Sequence, residues 1–182
     1  MGVGQVHGRQ VMIVANDANA AALADYPDIE FSALVASPNG AHRAIAAGFR
    51  SLEYVVSASD GHSRANVGRT SAEAAAQITD ISAIAHDAGA AVEVIISTSW
   101  DCPFDGPTPP QRVLEVVDAA CERGAGRIAI ADTIGTATPG RVTDLVRLVR
   151  PRIGERPLGA HFHNTRGVGL AGAWAAVSAG VT

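Results

Sequence analysis

His161, Phe162 and His163 close an apolar run, Leu158–His163. Side chains alternate between faces along a β-strand, so residues two apart share one face. Both imidazoles can then point at one ion from adjacent pleats. Two neutral imidazoles completed by oxygen ligands suit a divalent ion of the Mg, Mn or Zn kind. The plainer alternative is that one histidine caps the strand and the other packs in a core. A second group, Ala131-Asp132-Thr133-Ile134-Gly135, ends another apolar run. Asp132 could be a metal ligand, a base or a group that orients His161. It could also do no more than accept hydrogen bonds from its own loop. If the two runs are neighbouring parallel strands, Asp132, His161 and His163 can converge.

Two more segments carry reactive side chains. Ser57-Ala58-Ser59-Asp60-Gly61-His62 leads on to Asn66, and Ser97-Thr98-Ser99-Trp100-Asp101-Cys102-Pro103 follows another run. Ser, Asp and His together would suit a hydrolase triad, but the G-x-S-x-G nucleophile turn is missing, and turn chemistry is the plainer account. Cys102 is either a thiol nucleophile or a residue packed under its loop; packing is the commoner case. Gly167-Val168-Gly169-Leu170-Ala171-Gly172 spells a dinucleotide fingerprint. That fingerprint also needs a following strand and an acidic residue about 20 positions on. Close packing of a helix on a sheet explains these glycines more simply.

Composition narrows the chemistry. The 182 residues include 14 Lys+Arg, all of them Arg, 18 Asp+Glu and 6 His, for a net charge of −4. Without lysine there is no Schiff base, no lysine-bound PLP and no Walker phosphate loop. No basic block favours nucleic acid, no apolar run nears the roughly 18 residues of a membrane span, and no secretory leader is read. Two cysteines, Cys102 and Cys121, make no disulfide framework, so a cytoplasmic setting is expected. Residues 1–182 read as one domain, with a core built mainly from Ala, Val, Ile and Leu because aromatics are 4%.

The elements that must position these residues alternate. Strands are expected at Phe31–Val35, Leu52–Val56, Val92–Ser97, Arg127–Ala131 and Leu158–His163. Each is short and nearly continuously apolar, as strands buried on both faces are. Helices are expected at Ala41–Ala47, from the capping box at Thr70 to about Asp87, from Thr108-Pro109 to Arg123, from Thr138-Pro139 to about Val149, and from Gly169 to Ser178. Alternation implies a parallel sheet, either doubly wound or an incomplete barrel, with the chemistry at the C-terminal strand ends.

Taken in order, Val55-Val56-Ser57-Ala58-Ser59-Asp60-Gly61-His62 with Asn66, Ser97 through Cys102-Pro103-Phe104-Asp105-Gly106, Asp132-Thr133-Ile134-Gly135 with Thr138-Pro139-Gly140, and His161-Phe162-His163-Asn164-Thr165 resemble the 3-hydroxy-3-methylglutaryl-CoA lyase family. The resemblance implies a (β/α)8 TIM barrel, of which residues 1–182 form a partial domain of roughly strands three to seven. It implies a divalent cation, usually Mg or Mn, held by His161 and His163. Asp132 would be the essential acidic residue, catalytic together with His161, while Thr133, Ser97 and Asn66 would bind an acyl-CoA thioester. The implied reaction cleaves a hydroxymethylglutaryl thioester to acetyl-CoA and acetoacetate. The family's opening Arg-Asp strand and its closing loop with a cysteine and an asparagine ligand have no counterpart here, so the chain alone is expected to be weakly active or inactive. Ala36-Ser37 replaces a usual Pro-Asn pair and Ala129 a common serine. The alternatives are an acyl-CoA/2-oxo acid condensing synthase or a non-catalytic barrel remnant. Open edges near Phe31–Val35 and Leu158–His163 would favour a homo-oligomer or a complementing chain.

Overall fold

Alternation along the chain becomes alternation in space. The computed structural model describes residues 3–6, 9–14, 28 and 30–182. Its strands are β1 (Val3–Val6), β2 (Arg9–Val14), β3 (Glu30–Val35), β4 (Ser51–Ser57), β5 (Ala91–Ser97), a small hairpin of β6 (Asp101–Cys102) and β7 (Gly106–Pro107), then β8 (Arg127–Asp132) and β9 (Leu158–Phe162). The helices are α1 (Pro38–Ala46), α2 (Asp60–Val67), α3 (Ser71–Ala76), α4 (Ile78–Asp87), α5 (Pro110–Glu122), α6 (Pro139–Val149) and α7 (Gly169–Ser178).

The main sheet runs β1-β2-β3-β4-β5-β8-β9. Every pair from β2 to β9 is parallel, and β1 lies antiparallel on β2. A doubly wound sheet reverses its strand order at a switch point. Here the order follows the sequence without reversal, which is the order of a (β/α)8 barrel. The fold is α/β, an incomplete barrel, as expected.

Four local expectations are corrected. Phe31–Val35 is not an edge, because β2 pairs with β3 from Val11↔Glu30 to Val14↔Ala33. Ser59 to Val67 is not a simple turn. It forms the N-cap and body of α2, which buries only Ser63 and so carries no apolar periodicity to read. The helix after Thr108 begins one residue later, at Pro110 with Pro109 as N-cap, and the Thr108 hydroxyl finds no partner there. The Thr70–Glu73 capping box is formed reciprocally, and the helical run it opens is divided at Gln77 into α3 and α4.

The two sheet faces differ in chemistry. Leu52, Tyr54 and Val56 of β4, Val92, Val94 and Ile96 of β5, and Ile128 and Ile130 of β8 join the core with Ile78, Ile81, Val113, Val117, Val142 and Val146 of the helices. Full burial of one such aliphatic side chain is worth about 1.5–3 kcal/mol. The other face, which lines the lumen of the half-barrel, stacks in layers. Glu53, Glu93 and Arg127 are in register near the bottom, and Val55, Ile95, Ala129 and Gly159 form the layer above. Ser57 and Ser97 lead the next layer, which Ala131 and His161 continue.

Candidate functional site at the C-terminal strand ends

His161 pairs with Ala131 across β9 and β8, which sets its ring on the lumen face. His163, two residues on, follows it there. The ring centroids lie 5.0 Å apart with the planes near perpendicular, at 73°. The Nδ1 of His163 bonds the carbonyl of Thr133. A carbonyl only accepts, so Nδ1 carries a proton, and in the neutral tautomer the lone pair is left on Nε2. That is how an outer partner fixes the tautomer of a metal-binding histidine. Burial, then the neighbouring His163, hold the pKa of His161 below the ordinary imidazole value, with Glu53 and Asp132 pulling weakly the other way. Both effects favour the neutral, ligating ring.

Thr133 joins two loops. Its carbonyl takes His163, and its hydroxyl accepts the backbone N–H of Thr98 at 2.7 Å. Thr98 is the one non-glycine residue with positive φ among the described residues, at 55°. Gly135 closes the same turn at φ 71°, and a Cβ there would stand 2.9 Å from the His163 carbonyl. Only glycine satisfies both conditions.

Asp132 reaches the histidines through its backbone rather than its carboxylate. It pairs with Phe162, on the sheet face opposite His161. The side chain is 1% exposed. Its oxygens accept the backbone amides of Thr136 at 3.0 Å and Ala137 at 2.9 Å, while its carbonyl accepts the His163 amide at 3.3 Å. Strand alternation is the reason: once Ala131 faces the lumen, the next residue faces the helices. The convergence of three side chains expected from the sequence is therefore a convergence of two imidazoles, with Asp132 shaping the loop beside them.

Ser97 is brought into the upper lumen layer. Its hydroxyl lies 2.9 Å from that of Ser57, which lies 2.6 Å from Nδ1 of His62. Burial lowers the pKa of His62, which favours the neutral ring. The triad alternative is not formed: Asp60 instead accepts the Ser71 amide at 2.9 Å and pairs with Arg64 at 3.5 Å. Asn66 is exposed on α2, one turn after His62. Cys102 is buried, and its sulfur accepts from the Ser59 hydroxyl and the amides of Phe104 and Asp105. This is loop packing. Arg141 and Thr136 both hold Asp101, whose carboxyl sits below the usual range mainly because of the Arg141 bond. The sequence reading missed this tie between loops. The glycine fingerprint also packs as expected, since a Cβ on Gly172 would meet the Phe162 ring at 3.0 Å.

Two imidazoles on one face are donors of the kind a divalent ion takes, and among the described residues no third His, Cys, Asp or Glu gathers with them. A cavity of about 450 Å³ lies beside α2, lined by Ala58, Ser59, Asp60, Asp105 and Arg112 among others. None of the described helices is long and apolar enough to cross a membrane.

Sequential parallel strands, a polar upper lumen layer and paired imidazoles at the strand ends define part of a (β/α)8-barrel protein with its site at the C-terminal face. Residues 12–182 match the model of the HMGL-like family, and the chain belongs to that family. It is 38% identical over 170 residues to an (R)-citramalyl-CoA lyase of Chloroflexus aurantiacus, covering 93% of this chain and 54% of that one. It is 28% identical to a hydroxymethylglutaryl-CoA lyase of Bacillus subtilis, covering 85% and 52%. Among solved structures, an HMG-CoA lyase from Brucella melitensis superposes with a TM-score of 0.85 at 28% identity, over 91% of this chain and 58% of that one. One from Acinetobacter baumannii, in complex with coenzyme A and 3-methylmalate, superposes with 0.79 at 35% identity, over 85% and 50%. The chain thus spans about half the length of these relatives.

Proposed function

We propose that the chain carries part of the site of a carbon–carbon lyase acting on a 3-hydroxy-3-methylacyl-CoA thioester. The observation that carries this reading is the pair of imidazoles, His161 and His163, on one lumen face at the end of β9. In such a cleavage the tertiary hydroxyl gives its proton to a base. The bond from the hydroxyl carbon to the carbon beside the thioester breaks. Its electron pair passes into the thioester enolate, and protonation of that enolate yields acetyl-CoA.

His161 and His163 would hold a divalent cation, Mg or Mn, whose contribution when bound is Lewis-acid stabilisation of charge on the substrate's oxygens. Thr133 orients His163, and Asp132 acts as a positioning residue through the loop it caps. Ser97 lines the lumen beside the acyl group, and Asn66 stands at the rim. The two free cysteines fit a cytoplasmic setting.

The substrate is a hydroxymethylglutaryl thioester, leaving acetoacetate. A second reading, a citramalyl thioester leaving pyruvate, is supported by the higher identity to the citramalyl-CoA lyase, 38% against 28%. The two substrates differ by one methylene between the hydroxyl carbon and the distal carboxylate. The test is release of acetyl-CoA from each thioester with Mg or Mn, with acetoacetate and pyruvate assayed separately. Slow release that disappears in His161→Ala supports the lyase. Measurable release that is equal in wild type and variant, or thiol release only when a 2-oxo acid is added, contradicts it; the latter points to a condensing synthase.

A further inference from the structure

Ser57 and Ser97 occupy neighbouring register positions at the ends of β4 and β5 and are 3% and 6% exposed. Ser57 Oγ touches two partners, Ser97 Oγ and His62 Nδ1. The direction of these bonds follows from counting protons. Among the described residues Ser57 Oγ is the only hydrogen-bond partner of Ser97 Oγ. A buried donor left without an acceptor costs about 1–3 kcal/mol. Donation from Ser97 to Ser57 leaves neither hydroxyl proton without an acceptor. In that arrangement Ser57 has its own proton for one remaining partner, the Nδ1 of His62, which is then the bare nitrogen. A neutral imidazole with Nδ1 bare carries its proton on Nε2.

That Nε2–H meets no acceptor among the described residues. The ring is half-buried just beyond the C-terminal end of β4, tilted against Phe104 at 6.4 Å between centroids. In a barrel this is the end at which ligands bind. We infer that His62 is a ligand-binding residue, whose Nε2–H, held in place by Ser97 and Ser57, donates to an oxygen of the bound thioester. The inference rests on the lyase reading for its ligand. The acceptor is a carbonyl or carboxylate oxygen, belonging either to the acyl group or to the pantetheine arm of the coenzyme.

Long-range ¹H–¹⁵N spectra of the imidazoles in the 182-residue chain read the tautomer directly. His62 should show a bare Nδ1 and a protonated Nε2, and Ser57→Ala should let the two forms mix. Hydroxymethylglutaryl-CoA, citramalyl-CoA and free CoA are then added separately. Movement of the His62 signals with the thioesters alone assigns the acyl oxygen, and movement with all three assigns the pantetheine arm. His62→Phe keeps a ring against Phe104 and should weaken binding of the responding ligands about tenfold, the worth of one hydrogen bond. His62→Gln should recover part of that loss. A protonated Nδ1 in the wild type, or His62 signals unmoved by a thioester that binds, overturns the inference and leaves the lyase reading standing. A chain that binds neither thioester overturns that reading, and the ligand half of this inference with it, while the tautomer result still decides the hydrogen-bonded chain.

Discussion

Both carboxylate oxygens of Asp132 accept backbone amides at a position closed to water. Asp132→Asn would turn an NH2 group toward one of those amides. The expected cost is about 1–3 kcal/mol of unfolding free energy, measured from the urea midpoint; an unchanged midpoint would show that the loop does not depend on the carboxylate. His161, like His62, contributes a pH dependence. Its pKa in the folded chain lies below the unfolded value of about 6.5, so the folded state favours the neutral ring. The associated stability is complete above about pH 6.5 and is lost as pH falls through the lower folded value. Thermal melts between pH 8 and 5 should therefore show a steeper decline for wild type than for His161→Gln, which cannot titrate. The shared face of the two histidines was readable from the H-x-H spacing alone. The position of the Asp132 carboxylate was not, because it depends on a one-residue register against Phe162 that no local pattern displays.

At the level of elements, α7 sits on the sheet because Gly172 leaves room for the Phe162 ring. Gly172→Leu should lift the helix from β9, lowering the melting temperature and shifting the Phe162 and Trp100 signals, whose rings lie 5.7 Å apart. Thr70→Ala removes the capping box at the start of α3 and should cost about 1 kcal/mol, read by the same urea titration. Most of these elements were legible because apolar runs and caps mark them. The short polar helix α2 was not, since it has Asp60 in its first turn and a left-handed Gly68 as C-cap but no apolar stripe. Its invisibility hid the Ser57–His62 bond, which only a helix starting at Asp60 brings within 2.6 Å.

Across the whole molecule, the sequential strand order separates a barrel from a doubly wound sheet, a choice that periodicity alone left open. One surface of this half-barrel is unusually apolar: Leu170, Trp174 and Val177 line one side of α7, with Trp174 76% exposed. Exposed stripes of this kind bind hydrophobic dyes and neighbouring molecules. Replacing Leu170 and Trp174 with Lys should reduce anilinonaphthalene sulfonate fluorescence without moving the melting temperature, and undiminished fluorescence would place the apolar surface elsewhere. His161 and His163 are proposed to grip one divalent ion jointly. Substoichiometric Mn²⁺ added to the chain, with the histidine ring protons followed by NMR, reads that grip. The His161 and His163 signals should broaden first and together, while those of His42 and His86 stay sharp. Broadening of one ring without the other, or no more than at His42 and His86, would contradict it.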